Sequence, residues 1–332
     1  MDNQTLTCRL ASHGLLSADK TALEAIENTV GIQAQEQAHA AAISIFLRSG
    51  CTQEELAHLY AQQKVVLSWA NRWTLHLFTY DDWELLINAR QGENLPYSYF
   101  QGYGEHAEAI LDDVNAALIR RGALTKSEIV DIIRTHLPDF STQSYLHYAI
   151  MHSVARTGLA YIDAASPVTN RRFVYAKNFK RISANEAIEK LIPRYLAGFG
   201  PATFDDFCKW AGLKKTTVKP FAKLFENVAN PVAEPRALTK NRVILGARFD
   251  SLMTGYFDKT WLVPADKIAT MWTKNGFLLA PILYDGQLVG HWNYKMVGKN
   301  VTFTTEIWGA CDTAQLKQKF DAVANFLQKT RK

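Results

Sequence analysis

Cysteine is scarce, charge is nearly balanced and long apolar runs are missing from this chain, and each shortage removes a class of protein. The four cysteines, Cys8, Cys51, Cys208 and Cys311, lie far apart with no CxxC pair. Neither a zinc knuckle nor a disulfide framework is indicated, and reduced thiols are expected. No stretch approaches the roughly 18 to 20 apolar residues of a membrane span. The start, Met1-Asp2-Asn3-Gln4-Thr5, has no basic segment leading into an apolar one. A cytoplasmic protein without membrane partners is the expectation. The familiar cofactor and nucleophile signatures are absent too: no Walker-type phosphate loop, no glycine-rich dinucleotide turn after a strand, no His-Glu-x-x-His and no Gly-x-Ser-x-Gly. Neither a metal nor a cofactor is therefore expected.

What remains is an ordinary globular composition. The 332 residues are 48% apolar, 11% aromatic and 21% charged, with 37 Lys+Arg against 32 Asp+Glu for a formal charge of +5. That length exceeds one comfortable core and suggests two or three domains of roughly 100 to 150 residues each.

The middle of the chain is the easiest to parse. Ile110, Val114, Ala117 and Leu118 follow helical spacing up to Gly122, and Thr125 with Glu128 forms a capping box for a second helix carrying Ile129, Ile132 and Ile133. Pro138 and Asp139 break it. A third helix is expected from about Thr142 to Gly158, then a strand at 159–162, a turn near Thr169-Asn170-Arg171-Arg172 and a returning strand at 173–175. Three helices and a two-stranded wing describe a winged-helix module. The same order is legible upstream, with helices at 19–30, 36–47 and 52–62 and a hairpin at 65–67 and 74–78. Downstream, helices are expected at 185–197, 203–210 and 216–225, stopped by Gly198 and Gly212.

A proline-bearing stretch at 230–235 then precedes strands at 243–245, 277–279, 282–284, 288–292 and 301–303, with Asp285-Gly286 as a hairpin turn and a closing helix at 315–327. The expected fold is α+β and mainly helical: tandem winged-helix modules, three in number, with a C-terminal antiparallel sheet or partial barrel. The boundaries are 1–100, 101–182, 183–235 for the helices of the third module, and 236–332 for the strand-rich end.

Winged helices commonly grip duplex DNA, and the charges suit that use. Lys209, Lys214, Lys215, Lys219 and Lys223 fall within fifteen residues, and Arg171, Arg172, Lys177, Lys180 and Arg181 lie on and after the second wing. A solvated helix face and a plain wing tip are the competing reading. At the other end, Val297-Gly298-Lys299-Asn300 forms a turn that would set Lys299 and Asn300 at a hairpin tip in a DNA groove, with a plain surface turn as the alternative.

One polar group interrupts an apolar module: Gly31-Ile32-Gln33-Ala34-Gln35-Glu36-Gln37. Two side chains separated by one residue diverge by about 200° on a helix but share a side of an extended segment. Gln33 and Gln35 therefore reach one target only in non-helical backbone, which Gly31 favours. The alternative is that Gln33 and Gln37, four apart, decorate a helix face.

Several blocks in order resemble the AlkZ-like winged-helix DNA glycosylases: Val30-Gly31-Ile32-Gln33-Ala34-Gln35; Trp69-Ala70-Asn71-Arg72-Trp73-Thr74-Leu75-His76-Leu77; Arg194-Tyr195-Leu196 with Gly200-Pro201-Ala202-Thr203, Asp206-Phe207 and Trp210; and Phe249-Asp250 with Gly255-Tyr256 and Asp258-Lys259. Gly286, Gly290 and Trp292 extend the likeness. In that family two glutamines flanking an apolar residue are catalytic, which implies Gln33 and Gln35 here. A neighbouring, AlkX-like branch ends the motif in aspartate, and Ala34 is smaller than the residue often found between the glutamines.

The resemblance implies a monofunctional DNA glycosylase that hydrolyses the N-glycosidic bond of N7-alkylated purines in double-stranded DNA, interstrand crosslinks included. Tandem modules within one chain remove the need for dimerisation, so a monomer is expected. Arg72 and His76 are candidates for contacts near the lesion; the alternative is that Arg72 caps a strand and His76 is a satisfied core or edge histidine. Glu36 is the rival water activator, and Asp250 is read as a structural hydrogen-bonding residue within Phe249-Asp250, with the orienting of a cleft residue as the alternative. The competing function is a winged-helix transcription regulator without catalysis.

Overall fold

The computed structural model describes residues 3–93, 100, 103–227 and 240–329. The proline-bearing stretch at 230–235 and the module boundary expected there lie outside the described residues.

The first part begins with α1 (Asn3–Ser12) and α2 (Ala22–Asn28), followed by a two-residue strand β1 (Ile32–Gln33), a π-helical turn (Gln37–Ala41), α3 (Ala42–Ser49) and α4 (Gln53–Ala61). Thr21 and Thr52 open α2 and α4 with reciprocal capping boxes to Glu24 and Glu55, which satisfies amides that the helices leave unpaired. The hairpin β2 (Val65–Trp69) and β3 (Leu75–Thr79) follows, then α5 (Tyr80–Ala89). The segment read as a helix at 36–47 is thus a π turn feeding a shorter α-helix.

The second part matches its sequence reading closely. It comprises α6 (Gly104–Arg121), β4 (Ala123–Thr125), α7 (Lys126–His136), α8 (Leu146–Arg156), β5 (Ala160–Asp163) and β6 (Arg172–Tyr175). Gly122 ends α6 in the left-handed region at φ 77°, and the Thr125–Glu128 box caps α7. The two hairpins do not stand alone. They join into one six-stranded antiparallel sheet of order β1-β3-β2-β5-β6-β4, in which β2 pairs β5 through Val66↔Asp163 and Leu67↔Ile162. Alternate residues then feed two cores: Ile32, Leu67, Leu77, Ile162 and Phe173 face one, while Val66, Phe78 and Tyr161 face another beneath α5 and α9.

In the third part, α9 (Ala184–Phe199) and α10 (Phe204–Ala211) appear as expected, but two details differ. Gly198 is no stop; α9 runs through it to Gly200, and a Cβ there would sit 1.8 Å from the carbonyl oxygen of Asn28. The glycine permits α9 to touch the end of α2. The helix expected at 216–225 is split into α11 (Lys215–Val218), a 3-10 turn at Pro220 and α12 (Leu224–Asn227), as proline disrupts the helical ladder.

The C-terminal part holds β7 (Val243–Leu245), α13 (Ser251–Thr254), α14 (Ile268–Met271), β8 (Ala280–Tyr284), β9 (Gln287–Val297), β10 (Asn300–Ile307) and α15 (Thr313–Gln328). The sheet is open, ordered β10-β9-β8-β7, and not a barrel. The strand expected at 277–279 makes only an isolated bridge between Leu278 and Trp272. Asp285 and Gly286, at φ 51° and 78°, form the turn read from sequence. No helix among the described residues is long and apolar enough to cross a membrane.

Candidate active site and nucleic-acid face

The Gln33-Ala34-Gln35 segment owes its shape to the end of α2. Val30 N–H reaches the Glu27 carbonyl and Gly31 N–H the Ile26 carbonyl, both at 3.0 Å, the paired bonds of a Schellman stop. Val30 takes the left-handed position at φ 46° and Gly31 follows at 99°. Left-handed backbone costs a β-branched residue about 1 to 2 kcal/mol. Full burial of the Val30 side chain returns a similar amount. Gly31 has no substitute, since a Cβ would lie 2.3 Å from the Phe78 ring.

The chain therefore leaves α2 as an extended strand. Ile32 pairs with Leu77 and Gln33 with His76, and Ala34 N–H donates to the Leu75 carbonyl at 2.7 Å. Ile32 and Ala34 are buried in the first core. Ala34 is completely covered, so this packing leaves it no free surface. Gln33 and Gln35 project from the other side, and Gln33 Nε2 donates to Gln35 Oε1 at 2.7 Å. This is the extended arrangement expected of the motif, not the shared helix face of Gln33 and Gln37. The bond uses one carbonyl of the pair and leaves the other, Gln33 Oε1, able to accept from water. Gln33 is 8% exposed, whereas Gln35 is open to solvent.

The neighbours of the motif are committed elsewhere. Arg248 Nη1 reaches both Glu36 carboxylate oxygens, at 2.9 and 3.2 Å, and its Nη2 donates to Asn293 on β9. Gln37 Nε2 donates to the Ala164 carbonyl, and Gln37 Oε1 accepts from Arg171 at 2.6 Å. Sequence reading misses Arg248 and Asn293, and no local signal marks them, because they join the motif from more than two hundred residues away.

The residues expected on DNA divide into inward and outward groups. Arg72 sits in left-handed backbone at φ 49° and donates to the Trp210 carbonyl at 2.7 Å; burial, with Arg90 nearby, lowers its pKa to about 10. His76 is 3% exposed, with a pKa lowered to about 3 by burial first and then by Arg72. Arg171 is half-buried against Gln37. These three are turned into the protein, where guanidinium and imidazole pack and bond instead of facing solvent. Arg172, Lys214, Lys215, Lys299 and Asn300 are exposed. Lys215 pairs with Asp205 at 2.7 Å, Arg172 lies 3.4 Å from Asp163, and Lys299 and Asn300 do occupy the β9–β10 tip. Lys209, Lys219 and Lys223 are exposed as well.

Asp250 is the structural residue anticipated. It is buried in a two-pronged ion pair with Arg48, at 2.7 and 3.1 Å, and accepts from the Ala247 and Leu252 amides. Among the described residues no cluster of His, Cys, Asp and Glu is arranged to hold a metal ion.

Comparison with known proteins adds an independent line. A family model described as "DNA glycosylase AlkZ-like" matches residues 26–326. The chain is 21% identical over 308 residues to an interstrand DNA cross-link repair glycosylase of Streptomyces sahachiroi, covering 82% of each sequence. It superposes on the solved Streptomyces sahachiroi DNA glycosylase AlkZ with a TM-score of 0.78 at 20% identity, covering 98% of this chain and 96% of that one. At that identity the superposition speaks for the fold.

Proposed function

This chain belongs to the AlkZ-like DNA glycosylase family, and from that premise we propose that it hydrolyses the N-glycosidic bond of N7-alkylated purines, crosslinked ones included, with Gln33 and Gln35 holding the water. The observation that carries the reading is the hydrogen-bonded amide pair on an extended strand, one member buried and one at the solvent boundary.

An amide is a weak base, so the lesion must supply most of the activation. An alkyl group at N7 makes the purine cationic before any enzyme acts, and the base then departs neutral. What the protein has to add is position: a carbonyl that accepts from water beneath C1′ and a dipole opposing the charge that grows on the sugar. Fixed dipoles of this kind are worth about 3 to 4 kcal/mol when single groups are removed from other enzymes. Unmodified purines, whose leaving group is poor, are spared on this reading. Glu36 is disfavoured as the activator because Arg248 occupies both of its oxygens.

A purine tied to the opposite strand cannot swing freely into a closed pocket, so crosslinks call for an open cleft. The solvent-facing side of Gln35 is compatible with one. We take three winged-helix modules, at 1–100, 101–182 and 183–235, as the frame of that cleft in a monomer. Arg172, Lys214, Lys215, Lys299 and Asn300 are then backbone contacts. Gln33→Ala with Gln35→Ala should bind an N7-methylguanine duplex as the parent does and release its base at least a hundredfold more slowly. Base release at the parental rate by the double variant would refute the assignment.

A further inference from the structure

The row of side chains across β1, β3 and β2 contains a group that the two amides leave without a task. Gln33 is directly opposite His76, and His76 is directly opposite Ser68, so all three project on one side of the sheet. Because Ala34 and Leu75 form the hydrogen-bonded pair next along, Gln33 and His76 occupy the closer, non-hydrogen-bonded position. Cα atoms there are about 4.5 Å apart and side chains lie nearest.

The orientation of the imidazole follows from its neighbours. His76 Nδ1 lies 2.9 Å from the Thr74 carbonyl oxygen, which can only accept, so Nδ1 carries the hydrogen. The ring stacks on Phe78 at 5.4 Å between centroids. Nε2 then carries the lone pair, on a side chain that shares its side of the sheet with Gln33. We propose that His76 Nε2 is the proton acceptor for the water held by Gln33 and Gln35, which makes His76 a third catalytic residue.

This rests on the hydrolytic reading above and extends it. The water oxygen bonds to C1′ as the bond from C1′ to the purine breaks. The electron pair of that bond cancels the positive charge of the alkylated base. The water proton passes to Nε2, and the resulting imidazolium, hydrogen-bearing at both nitrogens, loses it to solvent on the Gln35 side. Water adding to so electron-poor a carbon needs only a weak acceptor that is reliably unprotonated. Burial and the nearby Arg72 supply that condition: they hold the imidazole neutral throughout the physiological range. The same neutrality removes the charge a phosphate contact would use.

Two substitutions separate the roles. His76→Asn keeps a donor near the Nδ1 position and loses the acceptor at Nε2; His76→Gln sets an amide oxygen near Nε2. Single-turnover release of N7-methylguanine, duplex affinity and thermal midpoint are measured for both, beside the parent and the Gln33→Ala, Gln35→Ala double variant. His76→Asn is expected to slow base release by about a hundredfold or more with duplex affinity within twofold, and His76→Gln to keep at least a tenth of the parental rate. Parental release by His76→Asn overturns the proposal, as does equal slowing by both substitutions or a loss of affinity that matches the loss of rate. An active parent with an inactive double-glutamine variant isolates that failure to His76. An inactive parent overturns the water-site reading and this proposal together.

Discussion

Burial decides what individual polar residues do here. Gln33 and Gln35 are separated by one residue, yet one is enclosed and the other meets solvent. Histidine shows the rule most clearly. His152 is wedged against Trp69 at 4.5 Å and Tyr148 at 5.4 Å, its Nδ1 buried without a partner, and burial followed by Arg156 lowers its pKa to about 4. The unfolded chain therefore takes up a proton near pH 6.5 that the native state refuses until about pH 4. Stability is unaffected above that window and falls through it on acidification, by up to about 1.4 kcal/mol per pH unit. His152→Phe keeps a ring and removes the liability. Its gain in thermal midpoint over the parent should be several degrees larger at pH 5 than at pH 7.5. Parallel midpoints at the two pH values would show that His152 titrates normally.

At the scale of elements, the turn from α2 into β1 sets the motif. Gly31→Ala would combine φ 99° with a Cβ 2.3 Å from Phe78. A loss of about 3 kcal/mol or more is expected, together with weaker base release from whatever folds. Denaturant unfolding reads the first and single-turnover assays the second; a parental unfolding midpoint would mean the turn adapts freely.

Much of this level is legible in the sequence because its causes are local. Thr125 with Glu128 marks α7, Gly122 closes α6, and Asp285-Gly286 turns β8 into β9. Spacing and Gly31 alone leave the pairing of Gln33 with Gln37 on a helix face open, and it is the family resemblance that selects Gln33 with Gln35. The illegible parts have distant causes. Gly198 resembles a stop because its reason is a contact with Asn28, and 277–279 alternates like a strand but forms only an isolated bridge, at Trp272. For His76 and Arg72 the sequence leaves a DNA contact and a structural role equally open, because histidine and arginine carry no sign of their own burial. The Thr79 cap to Asp82 that opens α5 is a local signal that the sequence reading passes over.

Across the whole molecule, distant segments are fastened by few, buried charges. Arg48 and Asp250 join α3 to the entry of α13 with both side chains fully enclosed. Asp250→Ala strands the guanidinium and should cost about 3 to 5 kcal/mol, read as a shifted urea midpoint. A shift below about 1 kcal/mol would mean that water reaches Arg48. On the outer surface, charge acts through salt instead. Neutralising Lys214 and Lys215 together should flatten the dependence of duplex affinity on ionic strength, by up to about 0.9 for each phosphate these lysines cover. An unchanged slope would remove both from the footprint.

The junction of β2 with β5 constrains how this enzyme can be cut down. A fragment ending near residue 100 would carry the glutamine strand but bare the side of β2 that Asp163 and Ile162 now cover. Exposed edges of that kind recruit other chains. Trimming to a minimal catalytic piece should therefore yield aggregates, and any smaller working version has to retain the second hairpin as an obligate companion.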